Sequence, residues 1–180
     1  GHWNTRGEIA RAQGDLALAE HAYTVARDMF EATGSPTIFS RVNLCTTYVE
    51  AGKYSEAERL LPELEAQNDR RDVNCMLKML RVACQVNAHD WSTARSGIER
   101  VQDELKTMGL VDLDIATTVR RIALQCEAEA QTELARSAWQ IAVAQFAAMG
   151  RNPVEACEAD DQCEITLRRM AWLQYGCETG

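Results

Sequence analysis

Trp3 to Ala26 reads WNTRGEIARAQGDLALAEHAYTVA, and this stretch decides the fold. Gly14-Asp15 breaks it in the middle. After the break come Leu16, then Ala19, Tyr23 and Ala26, one face of a helix at 3.6-residue periodicity. The same order of turn residue, large residue and small Ala returns as Gly52-Lys53-Tyr54 to Ala57, His89-Asp90-Trp91 to Ala94, and Ala130-Gln131-Thr132 to Ala135. The Ala spacings are 38, 37 and 41 residues, from Ala19, Ala57, Ala94 and Ala135. A bulky residue follows each Ala by four: Tyr23, Leu61, Ile98 and Trp139. An internal period of this length is the mark of a stacked repeat.

Another apolar-periodic stretch lies before each break: Trp3 to Gln13, Thr37 to Ala51, Val73 to Asn87 and Leu113 to Ala128. Each unit therefore reads as helix A, short turn, helix B. Gly14, Gly52 and the Asn87-Ala88-His89 run suit a helix stop, because they tolerate left-handed or turn backbone. Gly34-Ser35-Pro36, the polar run 67–72, Met108-Gly109 and Met149-Gly150 separate the units. Asn152-Pro153 then has the form of a helix start, which predicts a ninth helix over about 153–175. Pro62 falls inside the second B helix and is expected to kink or shorten it. No alternation of apolar and polar residues competes as strand.

Composition agrees. Gly and Pro number 10 and 3, and the apolar and charged fractions, 46% and 26%, are ordinary for a soluble globular domain. Net charge is −8 and pI about 4.9, which disfavours phosphate backbones and anionic membrane surfaces. No apolar run approaches the roughly 20 residues of a membrane span, and no signal peptide is visible. Seven cysteines, an odd number, lie mostly within helical apolar patterns, as reduced thiols of a cytoplasmic protein do. Gly1-His2 has the form of a scar left by tag removal, so the chain is read as one region of a larger protein.

The first unit resembles a tetratricopeptide repeat (TPR): Trp3, Gly7, Gly14, Leu16, Ala19, Tyr23 and Ala26 stand where that family places large, small, turn and aromatic residues. Small residues at positions 7 and 19 let the two helices approach. Unit two keeps Gly52, Tyr54 and Ala57 and has Cys45 at the small site; unit three keeps Trp91 and Ala94 with Val82 there; unit four keeps Ala123, Ala135 and Trp139. The period departs from the usual 34 residues or so, as in the degenerate repeats of bacterial signalling and regulatory proteins. The resemblance implies an all-α fold, an α-solenoid of four TPR-like helix-turn-helix pairs plus a C-terminal helix. It makes one domain of 1–180, with repeats at about 3–34, 36–70, 72–109 and 111–150.

In such a stack the A helices line a concave groove. Carrying the outward stripe Asn4, Glu8 and Arg11 forward by the repeat offsets gives Phe39, Val42, Thr46 and Val49, then Met76, Met79, Ala83 and Val86, then Thr117, Arg120, Leu124 and Glu127. Two readings of these residues stand open. They line an apolar, Met-bearing groove for a helix or extended peptide, or they are core covered by neighbouring units or by the ninth helix. No Lys, Arg and Asn set stands along the stripe to clamp a terminal carboxylate, which argues against a chaperone-tail receptor. Cys157 and Cys163, flanking acidic residues, lack metal-ligand spacing. His2, His21 and His89 join no local catalytic set, and the pairs Arg120-Arg121 and Arg168-Arg169 read as salt-bridge partners.

The resulting expectation is a protein- or peptide-binding regulatory module of a signalling protein, with no enzymatic activity, cofactor or metal. The alternative is an input domain binding a small amphipathic signal. Trp172 and Tyr175 leave room for a homodimer seam through the C-terminal helix.

Overall fold

The computed structural model describes residues 2–151, and these are all-helical. The helices are α1 (His2–Ala12), α2 (Leu16–Ala32), α3 (Ile38–Glu50), α4 (Tyr54–Gln67), α5 (Arg71–Asn87), α6 (Trp91–Met108), α7 (Leu113–Ala128) and α8 (Thr132–Ala148). Each A stretch of the sequence becomes a helix within two residues of its expected ends. The expected ninth helix, with Cys157, Cys163, Arg168, Arg169, Trp172 and Tyr175, lies outside the described residues.

The four A-to-B turns are built alike. At each, a residue with positive φ follows the A helix: Gly14 (78°), Gly52 (73°), His89 (58°) and Ala130 (56°). Its N–H bonds the carbonyl three residues back, and the next N–H reaches five back. These pairs are Gly14→Arg11 and Asp15→Ala10, Gly52→Val49 and Lys53→Tyr48, His89→Val86 and Asp90→Gln85, and Ala130→Glu127 and Gln131→Cys126. This double bond satisfies carbonyls that a helix end leaves open. Asp15 then caps α2 through Oδ1, which accepts from Leu18 N–H at 3.0 Å.

The chain divides into two compact units, residues 1–90 and a second beginning at Trp91. The sequence reading pairs 72–109 as one repeat; the division leaves α5 in the first unit and α6 in the second.

In the first unit α2 packs on α1 and α3, α4 on α3 and α5, and α3 on α5. Gly7, Cys45, Val82 and Ala123 each precede the repeated Ala by 12 residues, and all eight are buried. Cys45 Sγ donates to the Ala57 carbonyl at 3.8 Å, a direct measure of how closely α3 and α4 approach. Ala10, Ala19, Tyr23 and Leu44 form the core beneath α1–α3, with Leu18, Tyr48 and Leu60 against it. α4 runs five residues past Pro62 to Gln67, so the proline does not shorten it.

In the second unit α7 and α8 pair closely and α6 packs on α8. Gln145 of α8, itself buried, fastens the α6–α7 connection. Its Oε1 accepts from Asp112 N–H at 2.9 Å and its Nε2 donates to the Leu110 carbonyl at 2.9 Å. Trp139 Nε1 donates to Glu127 Oε1 at 3.1 Å across the α7–α8 pair.

Candidate functional site

The residues expected to line a groove are placed unevenly. Val42, Thr46 and Val49 on α3, and Met76, Met79, Ala83 and Val86 on α5, are buried, Met79 completely. Only Phe39 is exposed, at 49%. Arg120 and Leu124 are half-buried on α7, in the second unit. Of the two readings left open for these residues, their burial on α3 and α5 fits core rather than an open strip. The stripe was transferred from α1, whose described neighbours lie to one side, to helices with more of them. α3 has α2, α4 and α5 around it. α5 is buried over most of its girth, leaving the half-buried strip Asn74, Lys78, Arg81 and Gln85. Thr46 stays satisfied there by donating its hydroxyl to the Val42 carbonyl at 3.0 Å.

What remains outward in the first unit gathers on helix ends and on α1. Phe39 sits in the first turn of α3, and the Arg70 guanidinium lies over its ring at 5.0 Å. Arg70 is held in turn by Asp72, which receives it through Nε at 3.2 Å and Nη2 at 2.6 Å. The bonded Arg70 keeps the Asp72 carboxyl below its ordinary range. On α1, Arg6 lies over the Trp3 ring at 5.1 Å, and Trp3 packs edge-on against His21. Beside Arg6, an open cavity of about 280 Å³ is lined by His2, Thr5, Arg6, Ile9, Ala10, Gln13 and Leu18. Ile9 is 55% exposed on its rim. Arg–aromatic stacks of this kind are worth about 0.5–1 kcal/mol when exposed and more once desolvated.

Charge ties the first unit together on its polar side. Arg11 reaches Glu50 at 3.2 Å, and Lys53 reaches Glu20 at 2.6 Å. Arg41, buried, pairs with Glu63 and donates to Gln67 at 3.0 Å. Arg81 grips Glu65 bidentately at 2.7 and 2.8 Å. The thiols offer little chemistry. Burial pushes Cys45 and Cys84 up to about 12 and Cys126 to about 11, so they stay protonated and weakly nucleophilic. Among the described residues, no group of three or more His, Cys, Asp or Glu is arranged to hold a metal, and no helix is long and apolar enough to cross a membrane.

No protein-family model, no curated protein and no solved structure matches this chain.

Sequence reasoning missed Gln145 and the two Arg–aromatic stacks. Arg6 follows Trp3 by three residues, a helical spacing that brings side chains together, so that stack had a local signal. Arg70 over Phe39 and Gln145 on the 110–112 connection bridge 31 and 33 or more residues, and nothing local marks either.

Proposed function

We propose that the chain is a tetratricopeptide-like helical repeat module that binds another polypeptide, as part of a regulatory protein working in the reducing cytoplasm. The repeated A-to-B turn and the small residues 12 apart support the repeat reading. The free thiols of Cys45, Cys75, Cys84 and Cys126 support the compartment.

The observation that carries the binding role is Phe39 with Arg70. A large aromatic is held half in water at the start of α3, its face covered by a guanidinium that Asp72 fixes. Aromatic residues and Arg are the side chains that dominate the energetics of protein interfaces. Both here are already ordered, so less entropy is lost when a partner arrives. The protonated thiols support binding over nucleophilic catalysis.

The test is selection of displayed peptides on the immobilised chain, followed by titration of the enriched sequences. Affinity is expected to fall about tenfold or more in Phe39→Ala, with the far-UV circular dichroism unchanged. Selection that enriches nothing, or peptides indifferent to Phe39→Ala, removes this surface from the proposal. A thermal upshift with small amphipathic molecules and none with peptides favours the ligand-sensing alternative.

A further inference from the structure

We infer that the polypeptide taken at Phe39 is an amphipathic, acidic segment: its apolar side chains seat on Met29 and Phe39, and its carboxylate pairs with Arg71. The inference rests on the polypeptide-binding reading and names the chemistry of that partner.

The edge is built from helix ends. α2 ends at Ala32 and α3 begins at Ile38, so Met29 and Phe39 each lie within about one turn of the connection between them. Met29 is 54% exposed and Phe39 49%. The start of α5 joins them, since Arg70 covers the Phe39 ring at 5.0 Å. Both connections are tied down. The Thr33 hydroxyl donates to the Phe30 carbonyl at 3.0 Å and meets the Ser35 hydroxyl at 2.9 Å. Asn68 donates through Nδ2 to the Arg70 carbonyl at 2.9 Å and accepts the Arg70 N–H at 3.2 Å. The surface is therefore ordered before a partner arrives. Nor does the stacking of further repeats cover it. In a stacked repeat each unit touches only its neighbours. α2, α4 and α5 already pack on α3, and Phe39 is still half in water.

Charge selects the partner. Most acids of this edge are already taken. Asp28 and Glu31 pair with Arg27, Glu63 with Arg41, and Asp72 with Arg70. The cations are not filled. A guanidinium carries five N–H donors, and Asp72 engages Arg70 through Nε and Nη2 only. Arg71, exposed in the first turn of α5, has no bonded acid among the described residues. Asp69 is the acid left, one carboxylate against two guanidiniums with open donors. The edge is thus rich in donors beside two apolar side chains, on a chain whose net charge is −8. A carboxylate flanked by apolar residues completes it. The acid takes the Arg71 fork, and the apolar residues cover Met29 and Phe39.

The peptides selected on the immobilised chain supply the test. They are expected to carry Asp or Glu beside an aromatic or large aliphatic side chain. Arg71→Glu places an acid in the first turn of α5, where the helix dipole favours it, so the fold holds. It should weaken the selected peptides about fivefold or more. A peptide with its acid changed to Lys should regain that affinity on Arg71→Glu. Met29→Ala should weaken both pairs, and rising salt should weaken the original one. Peptides that need Phe39 but ignore Arg71→Glu, or that carry no acid, overturn this inference and leave the polypeptide-binding reading standing. An empty selection, or peptides indifferent to Phe39→Ala, removes both. Other occupants have their own readouts. A dimer in sedimentation that Phe39→Ala disperses assigns the edge to a second copy. A synthetic peptide of residues 154–165, an acidic run of this chain, that binds as tightly as the selected ones assigns the edge to the chain itself. Either result overturns the proposal.

Discussion

Gly7 of α1 lies directly against the ring of Tyr23 in α2: a Cβ at position 7 would stand 2.6 Å from Tyr23 Cε1 and 2.8 Å from Cδ1 and Cζ. Tyr23 is completely buried in the cluster with Ala10, Ala19 and Leu44, so the ring has nowhere to swing. Two effects oppose each other in Gly7→Ala. Alanine gains up to about 1 kcal/mol of helix propensity, whereas overpacking a tight core costs about 1–3 kcal/mol. Sterics should win, and urea denaturation should show Gly7→Ala less stable by about 1 kcal/mol. An unchanged or raised midpoint would mean that the α1–α2 approach is looser than described.

The opposite sign is expected at Ala130. This residue ends α7 with φ 56°, a backbone region where a Cβ costs roughly 1–2 kcal/mol. It is exposed, and its three sister turns carry Gly14, Gly52 and His89. Ala130→Gly relieves that cost at the smaller expense of greater freedom in the unfolded chain. The substitution should stabilise by about 0.5 kcal/mol, read as a small rise in denaturation midpoint. Gly52→Ala, at φ 73°, should destabilise by about 1 kcal/mol for the same reason.

These two positions also show what could be read from one sequence and what could not. Ala130 and His89 replace glycine at the turn, yet the Ala135 and Ala94 that follow kept the repeat visible. Helix positions were legible because periodicity and turn chemistry are local. The surroundings of each helix were not. Met79 has the same apolar character whether it lines a groove or is sealed in a core, and only the packing of neighbours decides. Phe39 was found among the candidates, but the Arg70 that covers it comes from a different helix start. A stripe copied from α1 to α3 and α5 named positions without telling which of them are covered by neighbouring helices.

Gln145 should prove the most sensitive polar residue of the second unit. One side-chain amide both accepts from Asp112 N–H and donates to Leu110 C=O. Gln145→Ala leaves both backbone groups without their bonds, at about 1–3 kcal/mol. Gln145→Glu is expected to be no better, since a carboxylate still accepts from Asp112 but repels the Leu110 oxygen. Hydrogen exchange should report it locally, with the Asp112 amide losing protection in either variant. Full protection in Gln145→Ala would contradict the clamp.

Alkaline pH should unfold the protein through its thiols. Burial raises Cys45 and Cys84 to about 12 and Cys126 to about 11, against an ordinary 9.0. For Cys45, the neighbouring Cys84 adds to burial while Arg81 opposes it. Between these values and 9 the unfolded chain has lost the proton that the folded chain retains. The native state then binds more protons, so stability falls as pH rises. The contribution is present in full below about pH 9, and each thiol withdraws on the order of 1 kcal/mol per pH unit above it. Denaturation midpoints should therefore decline from pH 9 to 11, and a Cys45→Ala, Cys84→Ala, Cys126→Ala triple variant should decline less steeply. At pH 8 the same thiols should resist iodoacetamide in the folded chain and react on unfolding, as mapped by peptide mass. Rapid alkylation of Cys45 under native conditions would show that the α3–α4 seam opens far more readily than its close packing allows.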